Sequence, residues 1–171
     1  MARLNLKWTG FDEYIKFLEA IGVNSERVAA SALGQGARVT ADEVRKRIEA
    51  IPAVSDAENK RAFHDDGVKY RMSVAQKAGL LKGLGIARFN RTAMDVNTAI
   101  GFDGYNDVIT REYPQGQPNQ MIARIYERGT EYSEKQPFVR QAKNASRKKA
   151  EAAMIEAVDR YIESVKRDKG I

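Results

Sequence analysis

The chain has 171 residues, of which 43% are hydrophobic and 30% are charged. This composition is typical of a soluble globular domain and excludes a disordered chain, and no apolar run approaches the roughly 18 residues of a membrane span. There is no cysteine, which excludes a disulfide framework and thiolate metal sites, while the net charge of +6 leaves nucleic acid open as a partner.

The N-terminal residues predict a short strand followed by a helix. Leu4, Leu6 and Trp8 alternate with polar residues, which is typical of a half-buried strand. The same stretch lacks the apolar core of a signal peptide, so we expect the chain to be made and kept inside a cell. Thr9 is a predicted helix cap and Gly22 a predicted stop. The apolar face of this helix would be formed by Phe11, Tyr14, Ile15, Leu18 and Ile21.

A long second helix is predicted from Asn24 or Ser25 to Ile51, where Pro52 ends it. Gly34 and Gly36 each lower helix stability by about 1 kcal/mol relative to Ala, and we expect close backbone packing to explain them. The buried stripe is predicted to be Val28, Ala32, Gly36, Val39, Val44, Ile48 and Ile51.

The middle of the chain carries mixed signals. Residues 54–78 are largely polar and are predicted to be an insertion or mobile loop, although the alternation after Val68 leaves the type of 68–82 open. Ile86 to Phe89 and Met94 to Phe102 predict the two strands of a β-hairpin. The Gly- and Pro-containing segment 103–118 is predicted to be a long loop.

The C-terminal third predicts a short helix and a long one. Asn119 is expected to cap the short helix, which Gly129 stops, with Met121, Ile122, Ile125 and Tyr126 pointing inward. Pro137 suits the first turn of a last helix that runs over about 137–168. Its buried stripe is predicted to be Phe138, Ala142, Ala145, Ala153, Met154, Ala157, Val158, Tyr161 and Val165.

These elements predict one α+β domain over residues 1–171. Its fold would be a small, mainly antiparallel sheet with a β-hairpin packed against two long helices.

Catalytic chemistry has little support in the sequence. His64, Asp65 and Asp66 are the one cluster of acid/base residue types, but side chains adjacent in sequence do not converge without help from elsewhere in the fold. The nucleophile-elbow, dinucleotide-binding and P-loop patterns are missing. We therefore expect no catalytic residue, no cofactor and no metal, and a hydrolase centred on His64 is the least favoured function.

A basic patch occupies the first part of the last helix. It consists of Arg140, Lys143, Arg147, Lys148 and Lys149, with no acidic residue between 140 and 149. Such a patch can contact phosphates and give sequence-independent nucleic-acid binding, it can dock an acidic partner, or it can be a solvated helix face. Aromatic residues that would stack bases are not interleaved with it. All three interpretations stay open.

Several motifs follow one another in a distinctive order. They are Gly79 to Lys82, Ile100 to Asp103 at the end of the hairpin, Ala123 to Thr130, Gln136 to Ala142, and the terminal amphipathic helix. In this order they resemble the neck and tail-completion proteins of long-tailed bacteriophages, which are also described as minor tail or head–tail joining proteins. The most specific part is Glu127-x-Gly129-Thr130 followed by Pro137-Phe138. The chain departs from the family at Arg128, where an aromatic or small residue is common, and by about 25 extra residues around 54–78.

The resemblance implies a structural virion protein without enzymatic activity. It would form a sixfold ring that joins head and tail, beside head-connector proteins and tail-tube or tail-terminator proteins, after assembly in the host cytoplasm and without a membrane. The last helix and the hairpin are candidates for the surfaces between subunits, and the basic patch would face either an acidic neighbour or DNA in the channel. Candidate docking residues in the 103–117 loop are Tyr105, Tyr113 and Pro114. Glu127, Gly129, Thr130, Pro137 and Phe138 would form a hinge for the last helix. The alternative function is sequence-independent nucleic-acid binding by the basic patch.

Overall fold

The chain adopts an α+β fold in a computed structural model that describes residues 4–6, 25–92 and 95–169. In chain order the elements are β1 (Leu4–Leu6), α1 (Ser25–Ala50), α2 (Asp56–Asp66), α3 (Val74–Gly83), β2 (Leu84–Ile86), β3 (Asn90–Thr92), β4 (Asp95–Phe102), α4 (Asn119–Arg128) and α5 (Phe138–Lys169). The predicted helix after Thr9, and Trp8 before it, lie outside the described residues.

The sheet is built around β4, which pairs antiparallel with β1, β2 and β3. The first strand of the predicted hairpin is β2, which begins at Leu84, two residues earlier than expected. Leu84 lies opposite Phe102. β3 pairs with the first residues of β4. Along β4 the side chains alternate as a half-buried strand requires. Thr98, Ile100 and Phe102 are buried, whereas their neighbours on the opposite face are partly exposed. The predicted hairpin is confirmed.

The two long predicted helices are confirmed as α1 and α5, and they pack antiparallel. Near one end Arg47 Nη1 donates a hydrogen bond to Gln141 Oε1 at 3.1 Å, and in the middle Ser146 Oγ donates to Thr40 Oγ1 at 3.3 Å. Each helix buries a residue at every fourth position, so the buried stripe winds slowly around the helix. The stripe of α1 is Val28, Ala32, Gly36, Thr40, Val44 and Ile48, and that of α5 is Phe138, Ala142, Ser146, Ala150, Met154, Val158 and Ile162.

This spacing corrects Val39 and Ala145 in the predicted stripes, and the predicted Ala153, Tyr161 and Val165 are half-buried. Val39 is only half-buried, and Thr40 takes the core position next to it. Ala145 is exposed, and the buried positions there are Ser146 and Ala150. The two hydroxyls are tolerated because each has a partner: Thr40 donates to the Gly36 carbonyl, and Ser146 donates to Thr40. A prediction that admits only apolar residues to the buried stripe therefore selects Val39 and Ala145 in place of the buried Thr40 and Ser146.

Residues 54–78 form ordered structure and not the predicted loop. Ser55 caps α2 by accepting a hydrogen bond from the Glu58 N–H at 3.1 Å, and Gly67 ends the helix in a left-handed conformation. The following extended segment is held by Asn59, whose side chain donates to the Arg71 carbonyl and accepts from the Arg71 N–H. α3 then starts with a capping box formed by Ser73 and Gln76. Hydrogen bonds and caps thus order a segment that has few apolar residues to bury.

Candidate docking surfaces

A joint at the start of α5 brings together the residues on which the resemblance rests, from Glu127 to Phe138. The Glu127 carboxylate, at the end of α4, accepts hydrogen bonds from the Val139 N–H at 2.8 Å and from the Arg140 N–H at 2.9 Å. These donors belong to the first turn of α5 and have no partner inside the helix. A negative charge is also favourable at a helix N-terminus. Glu127 therefore caps α5 from a different helix and fixes the angle between the two.

The rest of the motif shapes the connection between α4 and α5. Gly129 has φ of +73°, and a Cβ there would lie 2.8 Å from Lys135 Cβ. Thr130 Oγ1 accepts hydrogen bonds from the backbone N–H groups of Tyr132 and Ser133, which closes a tight turn. Pro137 directly precedes α5, and its carbonyl accepts from the Gln141 N–H. Each motif residue thus has a conformational role.

Phe138 anchors the joint in the core. It is buried and packs edge-to-face against Phe102 at the end of β4, with ring centroids 5.9 Å apart. The hydrogen bonds at Glu127 and the ring contact at Phe138 act within one helical turn. The start of α5 is therefore held to both α4 and the sheet.

Asn119 does not act as the predicted cap of α4. It is the first residue of the helix, after Pro118, and its buried side chain donates instead to the Asp103 carbonyl at 2.8 Å. The inward-facing residues are placed as expected, with Ile122 and Tyr126 buried and Met121 and Ile125 half-buried. Gly129 ends the helix, and its N–H donates to the Ile125 carbonyl.

The basic patch is exposed, but it is not one face. Arg140, Lys143, Arg147, Lys148 and Lys149 all have exposed side chains. Successive residues of a helix turn by about 100°, so Arg140, Lys143 and Arg147 share one side, whereas Lys148 and Lys149 point progressively away from it. Arg147 also pairs with Glu151 at 3.0 Å. The five charges therefore do not form one continuous phosphate-binding strip.

Residues 103–118, which contain the predicted docking loop 103–117, form an ordered, hairpin-like loop. Its base is closed by the bridge between Tyr105 and Pro118, and its tip by reciprocal backbone hydrogen bonds between Thr110 and Tyr113. Tyr105 and Pro114 are exposed and Tyr113 is half-buried. The most exposed large apolar side chain of the described residues is Ile109 in this loop, at 71%. Sequence analysis missed Ile109, because an isolated aliphatic residue in a polar loop carries no pattern.

A cleft of about 410 Å³ opens beside this loop. Its walls come from α2, the extended segment before α3, the start of α3, the 103–118 loop, α4 and the turn at Ser133. Four charged side chains line it, and their formal charges balance: Asp56, Lys60, Arg71 and Asp107. Most of one wall belongs to the 54–78 segment, which the resemblance to neck proteins does not cover. No local sequence pattern predicts this cleft, because its parts are far apart along the chain.

Tyr126 lies in the wall of the cleft, within a chain of hydrogen bonds. Its hydroxyl donates to Gln76 Oε1 at 2.9 Å, and Gln76 Nε2 donates to Gln117 Oε1 at 2.9 Å. Burial, and to a smaller degree the negative charge of Asp56, raises the pKa of the Tyr126 hydroxyl. The phenol therefore stays protonated and donates at neutral pH. This chain of hydrogen bonds ties α3, α4 and the 103–118 loop into one unit.

A group of aromatic side chains lies next to the cleft. It begins at Tyr70, which is one of the residues that line the cleft. Phe63 stacks on Tyr70 with centroids 4.7 Å apart and meets Tyr132 edge-on at 6.3 Å. His64 is exposed next to Phe63, and Asp65 and Asp66 are exposed beside it. Among the described residues no group of three or more His, Cys, Asp or Glu side chains could hold a metal ion.

The helices that the structure describes include none with the length and apolarity to cross a membrane. A comparison of the chain with models of protein families, with curated proteins and with solved structures finds no match.

Proposed function

We propose that the chain is a structural protein of a tailed-bacteriophage virion, which forms a ring at the neck or tail top and joins head to tail. The observation that carries the proposal is the joint between α4 and α5. The residues that define the resemblance, from Glu127 to Phe138, converge on one helix cap and one core contact. They position a helix.

A joining protein must present surfaces to neighbours while its own frame stays rigid. The antiparallel pair of α1 and α5 supplies such a frame, since small residues allow close contact along much of its length. Exposed apolar side chains on the 103–118 loop supply a candidate contact with the next component of the particle. Both features support a role in assembly.

The test is disruption of the coding sequence in the phage or prophage that carries it. We expect filled heads and separate or defective tails in negative-stain images, with joined particles restored by the wild-type chain supplied in trans. Mass spectrometry of purified wild-type particles should find the chain in the virion. Normal titres of infectious particles after disruption would refute the proposal.

The alternative, sequence-independent nucleic-acid binding, is favoured only by the exposure of the five basic side chains. Its test is the affinity for random-sequence DNA as a function of salt. Contact with three phosphates on one side of α5 predicts a slope of log K against log salt of about −3. Because Arg140, Lys143 and Arg147 share that side, their triple substitution by Gln should abolish the slope. Absence of binding at low salt would eliminate this alternative.

A further inference from the structure

We propose that residues 55–71, the strap, are a conformational device that holds the start of α5 in place when docked and that opens locally to release it. The strap consists of α2 and the extended segment after it, and it contacts the connection between α4 and α5, residues 129–137. Opening frees this connection while the two long helices stay folded. The inference goes beyond the proposed function and does not depend on it.

The docked strap is hydrogen-bonded to the middle of the connection. The Tyr70 N–H donates to the Tyr132 carbonyl at 2.7 Å. The Glu134 N–H donates in turn to the Tyr70 carbonyl at 2.9 Å. Lys69 Nζ adds a hydrogen bond to the Thr130 carbonyl at 3.3 Å. Two neighbouring residues of the strap therefore hold the connection at three of its carbonyl and amide groups.

An aromatic contact supports this junction from within the strap. Phe63, in α2, stacks on the ring of Tyr70 with centroids 4.7 Å apart. Such a pair is more favourable than the burial of the two rings alone. Because Tyr70 makes both backbone hydrogen bonds to the connection, Phe63 fixes the strap at the point where it meets the connection.

The strap begins and ends at one anchored point. The Val54 N–H, just before the strap, donates to the carbonyl of Met72, just after it, at 3.1 Å, and both side chains are buried. Between these anchors little is buried. Asn59 is the only buried residue of α2, a helix that the structure describes in full, and residues 64–69 are all exposed. Segments with few buried apolar contacts open at a lower free energy than the core. The strap can therefore open without disturbing its anchors.

The connection links the strap to the first turn of α5. Glu127, just before the connection, accepts hydrogen bonds from the N–H groups of Val139 and Arg140, just after it. While the strap is docked, fraying of this first turn releases little chain, because the middle of the connection is held. When the strap opens, residues 130–135 lose these contacts, so fraying gains conformational entropy. Opening of the strap therefore weakens the Glu127 cap.

The docked strap also forms a wall of the cleft. Five of its residues line the cleft: Asp56, Asn59, Lys60, Tyr70 and Arg71. Opening removes this wall in the same step that loosens the first turn of α5. The shape of the cleft and the position of α5 therefore change together.

The first test compares amide hydrogen exchange, resolved by NMR, in the full chain and in two variants. Phe63→Ala removes the ring that stacks on Tyr70. The matched control is Tyr105→Ala, which removes a mostly exposed ring from the 103–118 loop. Exchange of an amide reports how often its hydrogen bond opens, so the rates distinguish local from global opening.

In Phe63→Ala the amides of Tyr70 and Glu134 should exchange several-fold faster than in the wild type. The amides of Val139 and Arg140 should become faster with them, although they lie outside the strap. The amides in the second half of α1, residues 40–48, should keep their wild-type rates. In the control Tyr105→Ala all of these rates should stay as in the wild type.

A disulfide supplies a second, reversible test, since the full chain has no cysteine. Tyr70 and Ser133 face each other in a parallel bridge. Neighbouring strands lie about 4.8 Å apart, which is within the range of Cα separations that a disulfide spans. In Tyr70→Cys/Ser133→Cys the oxidised form should keep the strap docked, and reduction should raise the exchange rates at Val139 and Arg140 several-fold. Both forms carry the same substitutions, so a general loss of stability does not account for the difference.

Three results would overturn the inference. The first is a Phe63→Ala variant in which Val139 and Arg140 keep their wild-type exchange rates. The second is an equal rise in the exchange rates of residues 40–48, since the strap would then open only when the whole chain unfolds. The third is equal exchange at Val139 and Arg140 in the oxidised and reduced forms of the disulfide variant.

Discussion

Gly36 of α1 lies against Met154 of α5 so closely that a Cβ added at Gly36 would be 2.7 Å from the Met154 Sδ and Cγ atoms. Met154 is almost fully buried, so its side chain has little room to move aside. Along the helix pair, this contact lies between two regions. On one side are the small residues at the centre of the pair, and on the other is the core cluster formed by the start of α1 and the end of α5. The lack of a side chain at residue 36 therefore sets the separation of the two long helices.

Substitutions at Gly34 and Gly36 should consequently have different effects. Gly34→Ala should raise the free energy of unfolding by up to about 1 kcal/mol, because helix propensity improves and the new Cβ would lie at an ordinary 3.5 Å from Phe89. Gly36→Val should lower it by about 1–3 kcal/mol, because the added atoms overpack the Met154 contact. Urea unfolding followed by circular dichroism measures both. Equal effects at the two positions would contradict the close approach.

Phe138→Ala should be strongly destabilising. The ring is buried at the start of α5 against Phe102, and removal of a buried Phe typically lowers stability by about 3–5 kcal/mol. The matched control is Tyr132→Ala, which removes a mostly exposed aromatic side chain and should change stability by no more than about 0.5 kcal/mol. An unchanged urea midpoint for Phe138→Ala would mean that this contact does not hold α5 in place.

The Glu127 cap gives a subtler prediction. Glu127→Gln keeps the size of the side chain, but the amide nitrogen cannot accept, so one of the two N–H groups at Val139 and Arg140 loses its partner. We expect a loss of about 1–2 kcal/mol in unfolding free energy. Glu131→Gln, an exposed residue in the next turn of the chain, is the control and should be nearly neutral. Similar losses in the two variants would indicate a general charge effect.

Hydrophobic periodicity and the turn residues predicted the main elements of this fold. The strand at Leu4–Leu6, the hairpin, the two long helices and the stop at Gly129 follow from these local signals. The α2 helix was missed because its sequence buries little apolar surface. Its order depends on a Ser cap and on the hydrogen bonds from Asn59 to Arg71, which are twelve residues apart. Sequence periodicity does not register such contacts.

The candidate surfaces were predictable only in part. The basic residues of α5 were found because they lie close together in the sequence, within ten residues. Which side of the helix each one occupies depends on the register of the buried stripe. That register is hard to read from the sequence because the polar residue Ser146 occupies a buried position. The cleft joins α2, the 103–118 loop, α4 and the turn at Ser133. Such a cleft becomes visible only once these segments are brought together.

Tyr126 predicts how stability depends on pH. The free phenol of an unfolded chain releases its proton near pH 10, whereas burial raises the pKa of Tyr126 in the folded chain. Above about pH 10 the unfolded chain therefore binds fewer protons at this residue than the folded chain, and stability falls as the pH rises. The contribution is fully present below about pH 10.

The measurement is the urea unfolding free energy of the wild type and of Tyr126→Phe at several pH values from 8 to 11. The variant should be less stable by about 1 kcal/mol at pH 8, because the hydrogen bond to Gln76 is lost. Its stability should then decline less steeply above pH 10, so that the difference between the two proteins shrinks. Taking the difference removes the lysines and the other tyrosines, which titrate in both proteins. Parallel curves for the two proteins over this range would show that Tyr126 ionises as easily in the folded chain as in the unfolded one, contrary to its place in the wall of the cleft.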